Sequence, residues 1–427
     1  MRVKISRTSV EGEVFAPPSK SYTHRAITIG SLSEKCVVRR PLISEDTKAT
    51  IRACRMLGAQ INEEKGDLFI EGVKGKPHIP EDVIDVGNSG TTLRFMTAVA
   101  SLVDGVSILT GDNSLRTRPN GPLIEVLHDL GAEVISTQNN GCAPLVVKGG
   151  LKGAIAKIDG SISSQFISAL LIACPLTSRS TTLSIKGELR SKPYVNLTLE
   201  IMRKAGAEIF EDNNHNIKFI IPPNQDYDLR DYLVPGDFSS ASYLLAAAAM
   251  TGSRVVVKNM FPSQQGDMAI IEILKQMGAG VSWDKENGVV TVNGRDLKGV
   301  RVDAAATPDL VPTIAVLGAV AEGQTVIENA EHVRYKETDR LHAMAVELKK
   351  MGISVKEDRD QLTIKGGKPK GGDLHGWHDH RIVMALTIAG MVAGDTTVDT
   401  AESIFISYPN FFDDVRSLGA DVVVDKQ

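Results

Sequence analysis

"ATIRACRMLGAQINEEKGDLFIEG" (residues 49–72) sets out the plan of the chain. An amphipathic stretch ends at Gly58, a short β-rich run follows, then the turn cluster "EEKGD" and a second apolar run. The pattern predicts a helix closed by a left-handed glycine, followed by a β-hairpin. The glycine signature returns as "LGAEVI", "AGAEIF", "MGAGVS", "MGISVK" and "LGADVV", with Gly131, Gly206, Gly278, Gly352 and Gly419 in the place of Gly58. Turn clusters recur behind it as "TQNNG", "DNNHN", "DKENG" and "EDRDQ". A period of roughly 70 residues is too long for a solenoid and indicates a globular repeat.

A second set of segments recurs out of phase with the first. "HRAITIGSL", "TTLRFMTAVASL", "SSQFISALLIAC", "SSASYLLAAAAM", "PDLVPTIAVLGAV" and "HRIVMALTIAGMV" are apolar nearly all round. A helix apolar on every face is buried. Each repeat therefore reads as strand, buried helix, strand, amphipathic helix and hairpin. This is a mixed α/β fold of six βαβαββ units in two lobes of three, an α/β barrel turned inside out. The sixth unit stops at "LGADVVVDKQ", without its last strand, and "MRVKIS" at the start supplies one. One lobe is thus expected to be discontinuous, residues 1–18 with 236–427, and the other to span 19–235. The second crossing falls in the proline-rich "PPNQDYDLRDYLVPGD" (222–237).

Bulk composition agrees with a soluble globular chain: 427 residues, 42% hydrophobic, 23% charged. The net charge of −4 gives no global pull toward nucleic acid or anionic membrane, so any anion site must be a local cluster. Cys36, Cys54, Cys142 and Cys174 are scattered without a CxxC pair, which fits a reducing cytoplasm and no zinc site. The start has no signal-peptide core, and runs such as "YLLAAAAM" are too short to span a bilayer.

Polar chemistry concentrates where the buried helices begin. "PPSKSYTHR" (17–25), "GNSGTTLR" (87–94), "GSISSQ" (160–165), "PGDFSS" (235–240), "ATPDLVP" (306–312) and "GWHDHR" (376–381) open the six in turn. Free backbone N–H groups and the positive end of the dipole bind anions there. Lys20 at the mouth of the first helix opposes the dipole unless an anion joins it. Taken singly, Ser163, Ser164, Asp237, Ser239 and Thr307 read as N-caps, and Lys20 as a solvated side chain. "HDH" with His375 and His378 nearby suggests a metal, but neighbouring helical residues diverge and no further ligand cluster is evident. In "VRYKETDRLHAM" (333–344), Lys336 and Arg340 lie four apart on an expected helix, with Glu337 and Asp339 beside them. Either a solvated charged face or an anion between two cations accounts for them.

These segments, with "TGDNSLRTRP" (110–119) and "SKPY" (191–194), resemble in order the motifs of the 5-enolpyruvylshikimate-3-phosphate (EPSP) synthase family. The resemblance runs along essentially the whole chain. It implies two lobes closing like a hinge, and transfer of the enolpyruvyl group of phosphoenolpyruvate to the 5-hydroxyl of shikimate 3-phosphate in aromatic amino-acid synthesis. It implies no metal or organic cofactor, no nucleic-acid partner and a monomer. By motif, Lys20, Ser21, Arg25, Ser163, Ser164, Gln165, Ser191, Tyr194, Asp309, His332 and Lys336 would bind shikimate 3-phosphate. Lys20, Gly90, Arg118, Gln165, Arg340 and Arg381 would bind phosphoenolpyruvate. Asp309 resembles the base that takes the 5-hydroxyl proton, Glu337 the acid that protonates the enol methylene, and Lys20 joins them at the reacting centre.

The charges agree with those roles. The two substrates together carry roughly five to six negative charges, against Lys20, Arg25, Arg118, Lys336, Arg340 and Arg381. Enol-ether addition needs two carboxyl groups of opposite proton state, so Glu337 is expected to be protonated and Asp309 ionised. The chain departs from the family pattern at two positions. Ile406 in "FISYPNFF" stands where the family often has lysine, so one phosphoenolpyruvate contact is missing or supplied elsewhere. His332 stands where many members have asparagine against shikimate 3-phosphate.

UDP-N-acetylglucosamine enolpyruvyl transferase is the nearest rival. It would show Lys-Asn in place of Lys20-Ser21 and a cysteine within "DNSLRTRP", which has none. RNA 3′-terminal phosphate cyclase would need a histidine nucleophile, for which His380 is the one tempting candidate, and a basic stripe that is absent.

Overall fold

The computed structural model describes residues 1–212 and 217–425. The turn expected at "DNNHN" lies almost wholly outside them. Among the described residues twelve α-helices follow one another: α1 (Lys20–Leu32), α2 (Glu45–Met56), α3 (Gly90–Ala100), α4 (Gly121–Asp129), α5 (Ser164–Ala173), α6 (Lys192–Lys204), α7 (Phe238–Thr251), α8 (Ile270–Gln276), α9 (Val311–Val320), α10 (Arg340–Lys350), α11 (His380–Ala393) and α12 (Phe411–Ser417). The odd-numbered helices are the apolar ones and are buried on nearly every face; in α9 only Val320 is not buried. The even-numbered ones are two-faced. α2 buries Ala49, Ile51, Ala53 and Cys54 while Lys48, Arg52 and Arg55 stay exposed.

Each even-numbered helix ends as the sequence signature requires. Gly58, Gly131, Gly206, Gly278, Gly352 and Gly419 all have positive φ, between 80° and 104°, a conformation that costs a residue with a Cβ. Two of their starts, those of α2 and α10, are set by side-chain caps. Ser44 and Thr47 form a capping box at α2, and Asp339 accepts from the His342 amide at α10.

Six four-stranded sheets complete the repeats among the described residues. Each joins a parallel pair to an antiparallel hairpin. In the third repeat, Ile155–Asp159 runs parallel to Thr181–Lys186, which pairs antiparallel with Lys218–Ile221 and through it with Phe210–Asp212. The strand lacking from the sixth hairpin is Arg2–Ile5, held antiparallel between Thr396–Val398 and Val422–Asp425.

The lead strands of the first and fourth repeats are exchanged, in keeping with lobe bounds at 18 and 235, though the pairing itself is not part of the sequence reading. Gly12–Phe15, just before α1, pairs with Arg254–Lys258 of the fourth repeat, and Asp231–Leu233, just before α7, pairs with Lys35–Arg39 of the first. The chain divides into two compact units, Met1–Pro17 with Pro235–Gln427, and Pro18–Val234. Each has its own hydrophobic core. In the discontinuous unit α7, α9 and α11 pack on one another; in the continuous unit α3 packs on α1 and α5. Burying a large apolar side chain such as Phe95 or Phe238 contributes about 1.5–3 kcal/mol, so the odd-numbered helices supply much of each core.

Candidate functional site

In the continuous unit the helix starts carry cations. Lys20 is the first residue of α1, and its Nζ lies 2.9 Å from Asp46 Oδ2 on α2. Burial works to raise the Asp46 carboxyl. The Lys20 charge and hydrogen bonds with His24 and Ser89 outweigh it and hold Asp46 well below the usual carboxylate range. Behind the pair, His24 Nδ1 meets Thr50 Oγ1 at 2.6 Å, Thr50 meets Thr92 at 2.7 Å, and Thr92 meets Ser89 at 2.6 Å. This buried polar chain joins the start of α1 to the start of α3. Burial keeps His24 below the usual imidazole value, so Lys20 is the cation that balances Asp46.

Arg25 lies one turn further along α1 and is buried. Its guanidinium donates to Thr198 Oγ1 (2.7 Å), Ser168 Oγ (3.2 Å) and the carbonyls of Ser21 (2.9 Å) and Tyr194 (3.1 Å). It also lies over the Phe95 ring at 5.2 Å. Those acceptors are neutral. Burial brings the Arg25 pKa down to about 10, and Tyr194, Tyr22 and Tyr232 only partly oppose it, the mark of a desolvated cation.

The start of α3 is open backbone next to two more guanidinium groups. A Cβ on Gly90 would lie 2.9 Å from Arg94 Nη1 and 3.3 Å from Arg118 Nη1, so glycine permits that approach. Arg118 donates to Asn88 Oδ1 (2.9 Å) and Ser114 Oγ (3.1 Å). Arg94 donates to Gln165 Oε1, and Gln165 Nε2 to Thr91 Oγ1 (3.0 Å), which ties α5 to α3. Ser163 caps α5 through the Gln165 amide, Ser164 is buried beside it, and Ser191 stands at the start of α6 in a left-handed conformation, φ 55°.

The discontinuous unit has the opposite balance. Buried Arg340, the first residue of α10, donates to Asp309 (Nη1 to Oδ1, 2.8 Å), Glu337 (Nη2 to Oε2, 2.6 Å) and Asp379 (Nε to Oδ2, 2.8 Å). Arg381 Nη2 takes the other Asp309 oxygen at 2.8 Å. Asp309 is therefore gripped on both oxygens. Burial opposes the charge on Arg340, and the three carboxylates more than restore it, raising its pKa. Asp267, which accepts from Ser239 at the start of α7, is pushed up to about 7 by burial and then by the Asp309 charge.

That Asp267 shift carries a pH prediction. Folded protein keeps this proton up to about pH 7, while the unfolded chain releases it near pH 4. The stabilisation is complete below about pH 4 and is lost as pH rises toward 7, by up to about 4 kcal/mol. Thermal melts of Asp267→Asn and the unsubstituted protein should diverge in the variant's favour between pH 5 and 7.5. Parallel melting curves would show that Asp267 is ionised when folded.

Of the residues singled out in the sequence, Lys20, Gly90 and Gln165 lie at or beside helix starts, with Arg118 reaching the start of α3 through Asn88, and Arg25 and Tyr194 share a second cluster. Asp309, Glu337, Arg340 and Arg381 form a third. Lys336 does not share a helical face with Arg340. Asp339 caps α10, so the helix begins at Arg340 and Lys336 precedes it at the end of a 3-10 turn. His332 is buried in that turn, and Ile406 closes the turn Ala401–Ile406. Glu337 is paired with Arg340. His380 is buried at the start of α11, 3.7 Å from Asp379. Asp46, Arg94, Asp267 and Asp379 were not identified from sequence. Arg94 and Asp379 lie inside the quoted segments "GNSGTTLR" and "GWHDHR", where the glycines and histidines drew attention instead.

Largely buried cations at the helix starts of one unit and clamped carboxylates in the other suit a transferase that acts on several-fold anionic substrates. Residues 5–415 match the family model for EPSP synthase (3-phosphoshikimate 1-carboxyvinyltransferase). The chain is 69% identical to the 3-phosphoshikimate 1-carboxyvinyltransferase of Methanococcoides burtonii, over all of both chains. It is 65% identical to that of Methanosarcina mazei over 99% of each. An EPSP synthase structure from Acinetobacter baumannii superposes with a TM-score of 0.84 at 30% identity, covering all of both chains. The chain belongs to the EPSP synthase family and is an enzyme of aromatic amino-acid biosynthesis.

Proposed function

We infer that the two sets of residues divide one reaction, transfer of the carboxyvinyl group of phosphoenolpyruvate to the 5-hydroxyl of shikimate 3-phosphate with release of phosphate. The observation that carries this division is the Asp309 carboxylate, held on both oxygens by Arg340 and Arg381 with Glu337 on the same guanidinium. Asp309 takes the 5-hydroxyl proton as that oxygen attacks C2 of phosphoenolpyruvate, and Glu337 delivers a proton to C3. Loss of phosphate and of one C3 proton then restores the double bond. Glu337 must first be released from Arg340. The phosphate and carboxylate of phosphoenolpyruvate compete for Arg340 and Arg381 and free it to take up a proton. Lys20, Arg25, Ser163, Ser164, Gln165, Ser191 and Tyr194, with Ser21, His332 and Lys336, hold shikimate 3-phosphate. Gly90 and Arg118, with Lys20 and Gln165, help to hold phosphoenolpyruvate. The set contains no group that would need a metal or organic cofactor for this chemistry.

The fuller reading is a cytoplasmic monomer, in keeping with four free, buried cysteines. The test of the activity is a phosphate-release assay. Phosphate should appear only when both substrates are present, and UDP-N-acetylglucosamine should not replace shikimate 3-phosphate. Turnover with the nucleotide sugar would overturn the assignment.

A further inference from the structure

Glu347 is a fully buried carboxylate that the reaction does not use. It lies seven residues after Arg340 on α10, two turns on and on the same face, about 10 Å along the axis. Its oxygens accept from the His375 amide (3.0 Å), from Trp377 Nε1 (2.9 Å) and from Lys350 Nζ (2.9 and 3.0 Å). His375 and Trp377 belong to the segment that leads into α11. There Trp377 and His378 are consecutive non-glycine residues in the left-handed region, φ 55° and 51°. Such backbone persists only where its surroundings over-determine it. Other restraints include Asp399, which accepts from the Gly376 amide at 2.8 Å and meets His375 Nδ1 at 2.7 Å, and Thr400 Oγ1, which accepts from the His378 amide at 3.2 Å.

The segment ends at Asp379, which caps α11 through the Arg381 amide (2.8 Å) and grips Arg340 Nε (2.8 Å). α10 thus touches this strained segment twice, at its start through Glu347 and at its end through Arg340. We propose that Glu347 is a positioning residue: it fixes the 375–379 segment against α10, and so sets Asp379, Arg340 and Arg381 where they hold Asp309 and receive phosphoenolpyruvate. The carboxylate suits that task because it takes a backbone and an indole donor at once while Lys350 balances its charge, and charge-assisted bonds of this kind are the stronger ones. A neutral amide would have to turn one NH2 toward a donor.

The inference rests on the proposed roles of Arg340 and Arg381, so Arg340→Met is assayed alongside. Glu347→Ala should lower kcat at least tenfold and raise KM for phosphoenolpyruvate at least tenfold. KM for shikimate 3-phosphate should stay within about twofold. Glu347→Gln should fall between the two, with a three- to tenfold rise in KM for phosphoenolpyruvate. The chain has two tryptophans, so in a Trp283→Phe background Trp377 emission should shift to the red in Glu347→Ala. A merely structural role would reduce the folded fraction and leave both KM values alone. If the alanine variant does not fold, Glu347→Gln and Trp377→Phe decide the matter. Folded variants with unaltered kcat and phosphoenolpyruvate KM, beside an impaired Arg340→Met, would overturn the positioning role alone. An unimpaired Arg340→Met would overturn the reading of the site beneath it.

Discussion

Asp309→Ala is expected to lower kcat by about 10²–10⁴, the range that a positioned general base contributes. The physical case is the grip of two guanidinium groups on one carboxylate. Ion pairs on both oxygens favour the charged form, which is the state a base must hold until the hydroxyl loses its proton. Glu337 pairs with Arg340, and Asp379 is fully buried as the cap of α11. Removing Asp309 also leaves Arg340 and Arg381 with less negative charge around them, so phosphoenolpyruvate should bind no more weakly than before. Steady-state kinetics with both substrates varied checks this. A kcat within a few-fold of the unsubstituted enzyme would assign the base to another group.

Arg25→Met should weaken shikimate 3-phosphate binding by about 30- to 1,000-fold, equivalent to about 2–4 kcal/mol for losing one partner of a buried charge pair. Arg25 holds a desolvated charge among hydroxyls, carbonyls and the Phe95 ring. Such a cation costs stability in the free protein and regains it when an anion arrives. The unliganded Tm of Arg25→Met should therefore lie within a few degrees of the parent, while the rise in Tm caused by shikimate 3-phosphate should largely vanish. Differential scanning calorimetry with and without the ligand separates the two effects. A large fall in the unliganded Tm with ligand stabilisation intact would show that Arg25 is a packing residue.

Much of this architecture is legible from the chain because its signals are local. Gly58 and its five counterparts mark helix ends that only glycine closes cheaply, and the run from Phe238 to Thr251 is apolar on every face and so cannot lie on a surface. The terminal strand Arg2–Ile5 could be assigned because the sixth hairpin visibly lacked a partner. The lobe bounds at 18 and 235 already put Gly12–Phe15 and Asp231–Leu233 on their sides of the exchange, but their strand partners could not be read, since strands of three or four residues do not encode which neighbour they pair with. The chemistry follows the same rule. Motif segments carry Lys20, Arg118 and Asp309 openly, whereas the clamp on Asp309 spans 31 residues to Arg340 and 72 to Arg381. Asp46 and Asp267 look in sequence like ordinary acids near helix starts. Burial beside Lys20 and beside Asp309, respectively, makes them different.

The division of labour between the two units is tested most directly by titrating shikimate 3-phosphate into Asp309→Ala in a calorimeter. Binding should persist within about tenfold of the parent affinity, because only one hydrogen bond to the ligand is lost while Lys20, Arg25 and their neighbours remain. Abolished binding would contradict the account, since it would mean that the base itself carries most of the hold on shikimate 3-phosphate.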